Sequence, residues 1–438
     1  QEYQEAVMEE GDQIIAETVS LTPQPQVSLT IEDQHNGHVL AIIGGRGIKE
    51  SSRSLNRATN TTRQPGSTFK IVSTYAPALD SAGVTLATII TDAPYNYANG
   101  RPVNNWYSGY RGNVTVRYAI EQSMNIIAVK TLTQITPQLG YDYLLDFGFS
   151  TLVERRVESD GVTVSSDIQQ ALALGGITDG VTNMELNAAY ATIANGGIYM
   201  EPILYTKIVD HDGNVLVDKT QLQDQHRVIK ETTAFLLTDA MEGVVTNGTG
   251  GSVKFPDMAI AGKTGTTSSN KDVWFAGFTP YYTCTTWTGY DNNVEMQTSA
   301  ERNLSKTLWR TVMSRLHEDL EYQSFNIPNG IIQSSVCAAS GLLPTENCAG
   351  HLRTEYFAEG SLPTTYCSSH TVTTICMYSG RVASDSCPFK VQGVATGTAT
   401  CEHDASFFAN PNYQSTLVQQ QQSLAEQGHV FNIDAYLQ

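Results

Sequence analysis

Arg63-Gln64-Pro65-Gly66-Ser67-Thr68-Phe69-Lys70 is the stretch on which the reading of this chain turns. It runs into an apolar helical pattern at Phe69, Ile71, Val72, Tyr75 and Leu79. Pro65 and Gly66 stop whatever precedes them and let the backbone turn sharply, so Ser67 falls at a helix start. There its hydroxyl lies near unpaired backbone N–H groups and the positive end of the helix dipole. Lys70 shares that helix face, one turn on. Serine is a poor nucleophile until a base takes its proton, and a lysine kept neutral by its surroundings can be that base. Ser67 and Lys70 therefore read as an activated-nucleophile pair. The spacing alone is weak, because Ser268-Ser269-Asn270-Lys271 has the same form and reads as a polar hairpin turn.

The 438 residues suggest about two or three domains, or one large domain with additions. A hydrophobic content of 40% supports a packed core. The net charge of −18, from 26 basic and 44 acidic residues, argues against a nucleic-acid surface, since no excess of Lys and Arg is available to meet phosphates. No apolar run approaches the roughly 20 residues of a membrane span. The chain opens on Gln1 without a signal peptide, which suggests a piece of something longer.

Residues 1–24 read as an acidic, helix-prone linker remnant with a narrow apolar stripe at Met8, Ile14, Ile15 and Val19. From Gln26 the pattern alternates through Val27, Leu29 and Ile31, turns at His35-Asn36-Gly37, and resumes at Val39–Ile43, which predicts a β-hairpin. The loop-rich 84–114 segment carries Tyr95, Tyr97, Trp106, Tyr107 and Tyr110, suited equally to lining a cleft or packing on a sheet edge. Helical patterns follow at about 115–122 and 125–134, with Ser123-Met124-Asn125 at their junction. Thr182 and Glu185 form a capping box for a helix ending at Asn195-Gly196-Gly197, and 229–245 is another amphipathic helix. Asp210, Asp212 and Asn214 resemble the start of a calcium loop. Val215 and Gln221 stand where that loop needs glycine and glutamate, so the segment reads as a turn.

Ala261-Gly262-Lys263-Thr264-Gly265-Thr266 then precedes the strand patterns at Asp272–Thr279 and Tyr282–Tyr290, an antiparallel arrangement. Alternation puts Thr264 and Thr266 on one face, and Gly265 lets a ligand or a backbone come close. Lys263 nominally faces the other way and must reach round the strand to serve the same cleft.

Cysteine use is uneven. Cys284 stands in a strand-like run and reads as a buried free thiol. Six others form an internal repeat: Cys337-Ala338-Ala339-Ser340-Gly341 then Cys348, and Cys376-Met377-Tyr378-Ser379-Gly380 then Cys387, with Cys367 and Cys401 as third members. Metal sites compete with disulfide staples, but the Cys-x-x-Cys pairs of zinc ribbons are absent. Disulfides are favoured, as in small extracellular modules with thin cores, with Cys337–Cys348 and Cys376–Cys387 the expected pairs. The polar tail with its Gln-rich run at 419–422 gives little hint of a fold.

Ser-x-x-Lys, Ser-x-Asn and Lys-Thr-Gly occur here in that order, with gaps of about 55 and about 140 residues, the signature of serine penicillin-recognising enzymes. Gly37–Ala41, Asn56-Arg57-Ala58, Arg63–Ser67, Ala188–Ala191, Asn195-Gly196-Gly197 and Trp274–Phe278 narrow the resemblance to the transpeptidase domain of class A (bifunctional) penicillin-binding proteins. The Cys-rich part resembles, more loosely, C-terminal extensions of such proteins from some Gram-positive bacteria. The resemblance implies an α+β fold of the penicillin-binding transpeptidase and serine β-lactamase type, an antiparallel sheet with flanking helices and a helical subdomain. It implies a transpeptidase domain over 25–325 and a Cys-rich extension over 326–438.

The implied reaction is cross-linking of peptidoglycan stem peptides ending in D-Ala-D-Ala, through an acyl-enzyme on Ser67, with β-lactams as covalent inhibitors. By the same resemblance Lys70 would be the base, and Ser123 would relay a proton with Lys263 holding its hydroxyl. Asn125 would bind the substrate amide and help hold Lys70. Thr264, Gly265 and Thr266 would form the binding strand, and the N–H groups of Ser67 and Thr266 the oxyanion hole. No metal or organic cofactor is needed. The expected location is the outer face of the bacterial membrane, reached through an anchor not in this sequence. A D,D-carboxypeptidase or β-lactamase on the same fold, a β-lactam sensor, and a non-catalytic wall-binding module are the alternatives.

Overall fold

The two alternating runs at 26–43 and 261–289 fold into one antiparallel sheet. In a computed structural model that describes residues 2–8, 14–20, 24–49, 51–370, 372–395 and 399–437, its strands are β1 (Gln26–Asp33), β2 (His38–Ile43), β3 (Ala261–Thr266), β4 (Asp272–Phe278) and β5 (Thr283–Gly289). Their order is β3-β4-β5-β1-β2. Everything between β2 and β3 in sequence leaves the sheet and returns, so the Ser67 loop and the helices lie against it. Every residue of β4 and β5 is buried, because both faces are covered.

The α-helices of six or more described residues are α1 (Val116–Glu121), α2 (Asn125–Ile135), α3 (Pro137–Asp146), α4 (Asn183–Ala194), α5 (Glu231–Thr246), α6 (Ser299–Leu316) and α7 (Tyr413–Glu426). The capping box read at Thr182 and Glu185 is formed and starts α4. On one sheet face Trp274, Ala276 and Phe278 join Leu186 and Tyr190 of α4 in the main core. On the other, Phe275 and Cys284 join Trp309 and Met313 of α6. This split follows the side-chain alternation of a strand. Cys284 is a buried free thiol, as its apolar surroundings require. These elements make the expected α+β architecture.

The Cys-rich part builds two small antiparallel pairs, β6 (Ile331–Cys337) with β7 (Leu352–Ala358) and β8 (Val372–Cys376) with β9 (Lys390–Val394). The first pair is docked on the helices. Tyr356 meets Phe235 of α5 edge-on at 5.3 Å, and Val336 and Phe357 enclose Ala87. Arg117 of α1 donates to both oxygens of the buried Glu355 on β7 and to Asp239 on α5.

Two expectations are corrected, and a stretch without a sequence signal takes a fold. Within 1–24, Glu2–Met8 and Ile14–Ser20 pair as antiparallel strands rather than forming a helix; the β-branched residues of 14–20 favour extended backbone. Residues 1, 9–13 and 21–23 of that segment lie outside the described residues. The pairs Cys337–Cys348 and Cys376–Cys387 are not formed: these thiols are free, and each two are joined by a third cysteine and a histidine. The Gln-rich tail is helical, its apolar stripe of Leu417 and Leu424 buried beside Phe389.

Candidate active site

The Ser67 loop is fixed before its side chain has anything to do. Arg63 and Val181 exchange backbone hydrogen bonds at 2.9 Å, Gln64 holds Ile177, and Trp274 of β4 donates its indole N–H to Gln64 O at 2.8 Å. Tyr190 of α4 donates to Thr68 O at 2.8 Å. Residues 66–80 then wind as a 3-10 turn at Gly66–Thr68, a π turn at Lys70–Tyr75 and an α turn at Ala76–Asp80. A π turn inside a helix marks a site where packing outweighs regular hydrogen bonding.

β3 presses directly on this turn. A Cβ on Gly66, whose φ is +56°, would lie 2.9 Å from Thr266 O. A Cβ on Gly265 would lie 2.7 Å from Pro65 O and 2.9 Å from Thr68 Cγ2. The close approach foreseen at Gly265 is thus to the protein's own backbone. It sets the backbone of Thr266 beside that of Ser67.

α1 and α2 supply the third wall. Ser123 takes a left-handed conformation, φ +52°, at their junction. Met124 is buried with Val114, Ala119 and Ile127, which leaves Ser123 and Asn125 to face the cleft. Lys70 Nζ lies 2.7 Å from Ser123 O, 2.6 Å from Asn125 Oδ1 and 3.3 Å from Ser123 Oγ. Lys263 does reach round its strand: its Nζ lies 2.7 Å from Ser123 Oγ and 3.1 Å from Thr264 O. Ser123 Oγ thus sits between two lysines that are both fully buried.

Electrostatics separates the two amines. Burial, and then the neighbouring Lys263, push Lys70 far below the usual lysine range. Burial pulls Lys263 down to about 7. Both shifts favour the neutral amine, and Lys70 carries the added repulsion of Lys263. A neutral Lys70 gives its two N–H groups to the carbonyl of Ser123 and the amide oxygen of Asn125, which can only accept. Its lone pair is then free to take a proton from a hydroxyl.

Ser67, Ser123, Asn125, Thr264 and Thr266 line one cleft of about 1250 Å³. Of the aromatic loop residues, Trp106 lines it, Tyr97 both lines it and packs on the core, Tyr95 packs on the core and Tyr107 bonds Asp92. Both readings of that loop therefore hold, and Tyr97 serves both. Sequence reasoning missed Thr249, whose hydroxyl meets that of Thr264 at 2.9 Å. It also missed Asn105, which accepts the Asn125 N–H at 2.8 Å and so fixes the start of α2. Neither carries a sequence signal beyond the glycines around Thr249.

Residues 27–314 match the penicillin binding protein transpeptidase domain, and residues 327–372 match the penicillin-binding protein 1A C-terminal domain. Penicillin-binding protein 1A of Clostridium tetani is 32% identical over 363 residues, covering 80% of this chain and 45% of that protein. Penicillin-binding protein 1A of Streptococcus pneumoniae is 34% identical over 328 residues, covering 70% of this chain and 44% of that protein. The chain spans less than half the length of these curated relatives. Among solved structures, penicillin-binding protein 1A from Haemophilus influenzae superposes with a TM-score of 0.66 at 28% identity, over 79% of this chain and 55% of the other. PonA1 of Mycobacterium tuberculosis, solved in complex with penicillin V, shares the fold with a TM-score of 0.60 at 24% identity, over 70% of this chain and 82% of the other.

Proposed function

The chain belongs to the penicillin-binding protein transpeptidase family, and from that premise we propose that it is a serine D,D-transpeptidase that cross-links peptidoglycan stem peptides and is acylated by β-lactams. The observation that carries this reading is Ser123 Oγ held between Lys70 and Lys263 on the cleft that Ser67 lines. We further propose domain limits of 25–325 and 326–438.

Neutral Lys70 takes the Ser67 proton as Oγ attacks the penultimate D-Ala carbonyl. The N–H groups of Ser67 and Thr266, brought together by the β3 contact, hold the oxyanion. The proton passes from Lys70 through Ser123 Oγ to the leaving amine of D-alanine. Cationic Lys263 orients that hydroxyl and, with Thr264 and Thr266, draws the terminal carboxylate. Asn125 binds the substrate amide. An acceptor amine then attacks the acyl-enzyme, its proton returns by the same path, and Ser67 is released. Among the described residues lining the cleft the one carboxylate is Asp272, already engaged by Trp287 at 3.0 Å and by Arg63. No lining carboxylate is left to drive hydrolysis, which counts against a class A β-lactamase.

The test is intact mass after incubation with benzylpenicillin, followed by a D-Ala-D-Ala donor peptide with an amine acceptor. A persistent single adduct on the Ser67 peptide and a cross-linked product are expected. D-Alanine release without a cross-linked product would make the chain a carboxypeptidase, an adduct without peptide turnover a sensor, and rapid drug hydrolysis a β-lactamase.

Two further results are expected. Gly265→Ala should slow acylation by about 100-fold, because its Cβ forces β3 off the Ser67 turn and displaces Thr266 N–H. Stopped-flow with a chromogenic β-lactam reads this directly. The second-order acylation rate should also be bell-shaped in pH. A lysine carries charge below its pKa, so the alkaline limb reports Lys263 losing its cation as pH rises through about 7. The acid limb reports Lys70 gaining a proton. A rate still rising beyond about pH 9 would refute the assignment of charge to Lys263.

A further inference from the structure

The two halves of the cysteine repeat fold as two copies of one unit. In the first, Gly341 N–H donates to Cys337 O at 2.8 Å and Cys337 N–H to Leu342 O at 2.9 Å. In the second, Gly380 N–H donates to Cys376 O at 2.8 Å and Cys376 N–H to Arg381 O at 2.8 Å. Both glycines take left-handed φ values, +70° and +69°. The third cysteine arrives by the same device: Cys367 N–H donates to Leu343 O and Cys401 N–H to Val382 O, each at 2.8 Å. The chain after it then delivers His370 in one unit and His403 in the other.

In each unit the four donor atoms lie within 4.8 Å of one another, and all eight side chains are buried. His370 Nδ1 is 3.4 Å from Cys337 Sγ and 3.5 Å from Cys367 Sγ. His403 Nδ1 is 3.6 Å from both Cys376 Sγ and Cys387 Sγ. Zinc held tetrahedrally, with Zn–S of about 2.3 Å and Zn–N of about 2.0 Å, separates its sulfur and nitrogen ligands by about 3.5 Å. The observed separations match an edge of that tetrahedron. A disulfide cannot satisfy such a group, since three thiols do not pair off and a buried imidazole is left over.

The surroundings are those of a metal shell. His403 Nε2–H donates to Gln420 Oε1 of α7 at 2.8 Å, which leaves Nδ1 as the bare lone pair facing the sulfurs. Backbone N–H groups point at sulfur from Thr345 to Cys348 at 3.4 Å, from Ser369 to Cys367 at 3.4 Å and from Ser384 to Cys401 at 3.3 Å. Such donors offset the negative charge of three thiolates. Cys337, Cys348 and Cys367 form a buried cluster of their own, apart from the packing of β6 and β7 on the helices.

We propose that Cys337, Cys348, Cys367 and His370, and separately Cys376, Cys387, Cys401 and His403, each bind one structural zinc ion as closed Cys3His sites. The full chain, purified in reductant without chelator, should carry about two zinc ions by elemental analysis, with an X-ray absorption shell of about three sulfurs and one nitrogen. Cys367→Ser and Cys401→Ser should each lower this to about one, and the double variant to none. If a variant fails to fold, the zinc content and absorption shell of the unsubstituted chain still decide. Unreduced chain with its cysteines paired and no metal would overturn the proposal, as would an oxygen-rich shell. A variant that keeps both ions would overturn the assignment for its unit. None of these readouts depends on acylation.

Discussion

A Ser67→Ala chain should form no β-lactam adduct, and Lys70→Ala should form it at least about 1000-fold more slowly than the unsubstituted chain. On the proposed mechanism Ser67 Oγ is the atom acylated, so its removal leaves nothing to modify. Lys70 is argued from its surroundings. Its Nζ is fully buried, bonds two obligate acceptors and lies beside a second buried amine. That position disfavours an ammonium and leaves a basic lone pair. The discriminating variant is Lys70→Arg. It keeps much of the packing but puts a fixed cation there, since a guanidinium cannot be deprotonated in a protein. It should therefore be as slow as the alanine variant. Labelling time courses with a fluorescent penicillin measure all three, with thermal unfolding to confirm that each is folded. A Lys70→Arg chain acylated at the normal rate would show that charge, not basicity, is what position 70 supplies.

Much of the fold was legible because its signals are local. The Asn36-Gly37 turn, the Thr182 capping box and the alternation through β3, β4 and β5 each follow from a few neighbouring residues. The Ser67, Ser123 and Lys263 motifs were legible as words, but their convergence was not. Nothing in the period of a strand brings Lys263 Nζ to Ser123; a flexible side chain bending past its own Thr264 carbonyl does. Thr249 and Asn105 were invisible because their partners are set by tertiary packing alone.

The Cys-rich region shows a different failure. The repeat was visible, yet a search for Cys-x-x-Cys passed over Cys367-Ser368-Ser369-His370 and Cys401-Glu402-His403, where histidine takes the second place of the pair. The Gln-rich run was passed over on composition. Gln420 is buried and bonded to His403, a contact that composition cannot encode.

Glu355→Ala should lower the stability of the chain by about 3 kcal/mol and also slow acylation, although Glu355 lies on β7, outside the cleft. Arg117 on α1 is nearly buried and donates to both Glu355 oxygens, with Asp239 as its second partner. Removing Glu355 leaves a guanidinium out of water with half its counter-charge. The cost is placed at the low end of the range for a broken buried pair because Asp239 remains. The effect on rate follows from the chain path. α1 leads directly into the left-handed Ser123 turn, so a shift of Arg117 moves the hydroxyl that both lysines hold. A displacement well under 1 Å there should cost about tenfold in acylation. Replacing both partners, as Arg117→Met with Glu355→Leu, should recover part of the stability, because it strands only the partly exposed Asp239 carboxylate rather than a buried guanidinium. Thermal unfolding of the two single variants and the double variant closes the cycle. A double variant as unstable as the sum of the singles would mean that β7 is held to the helices through Tyr356 on Phe235 and Phe357 on Ala87 rather than through the ion pair.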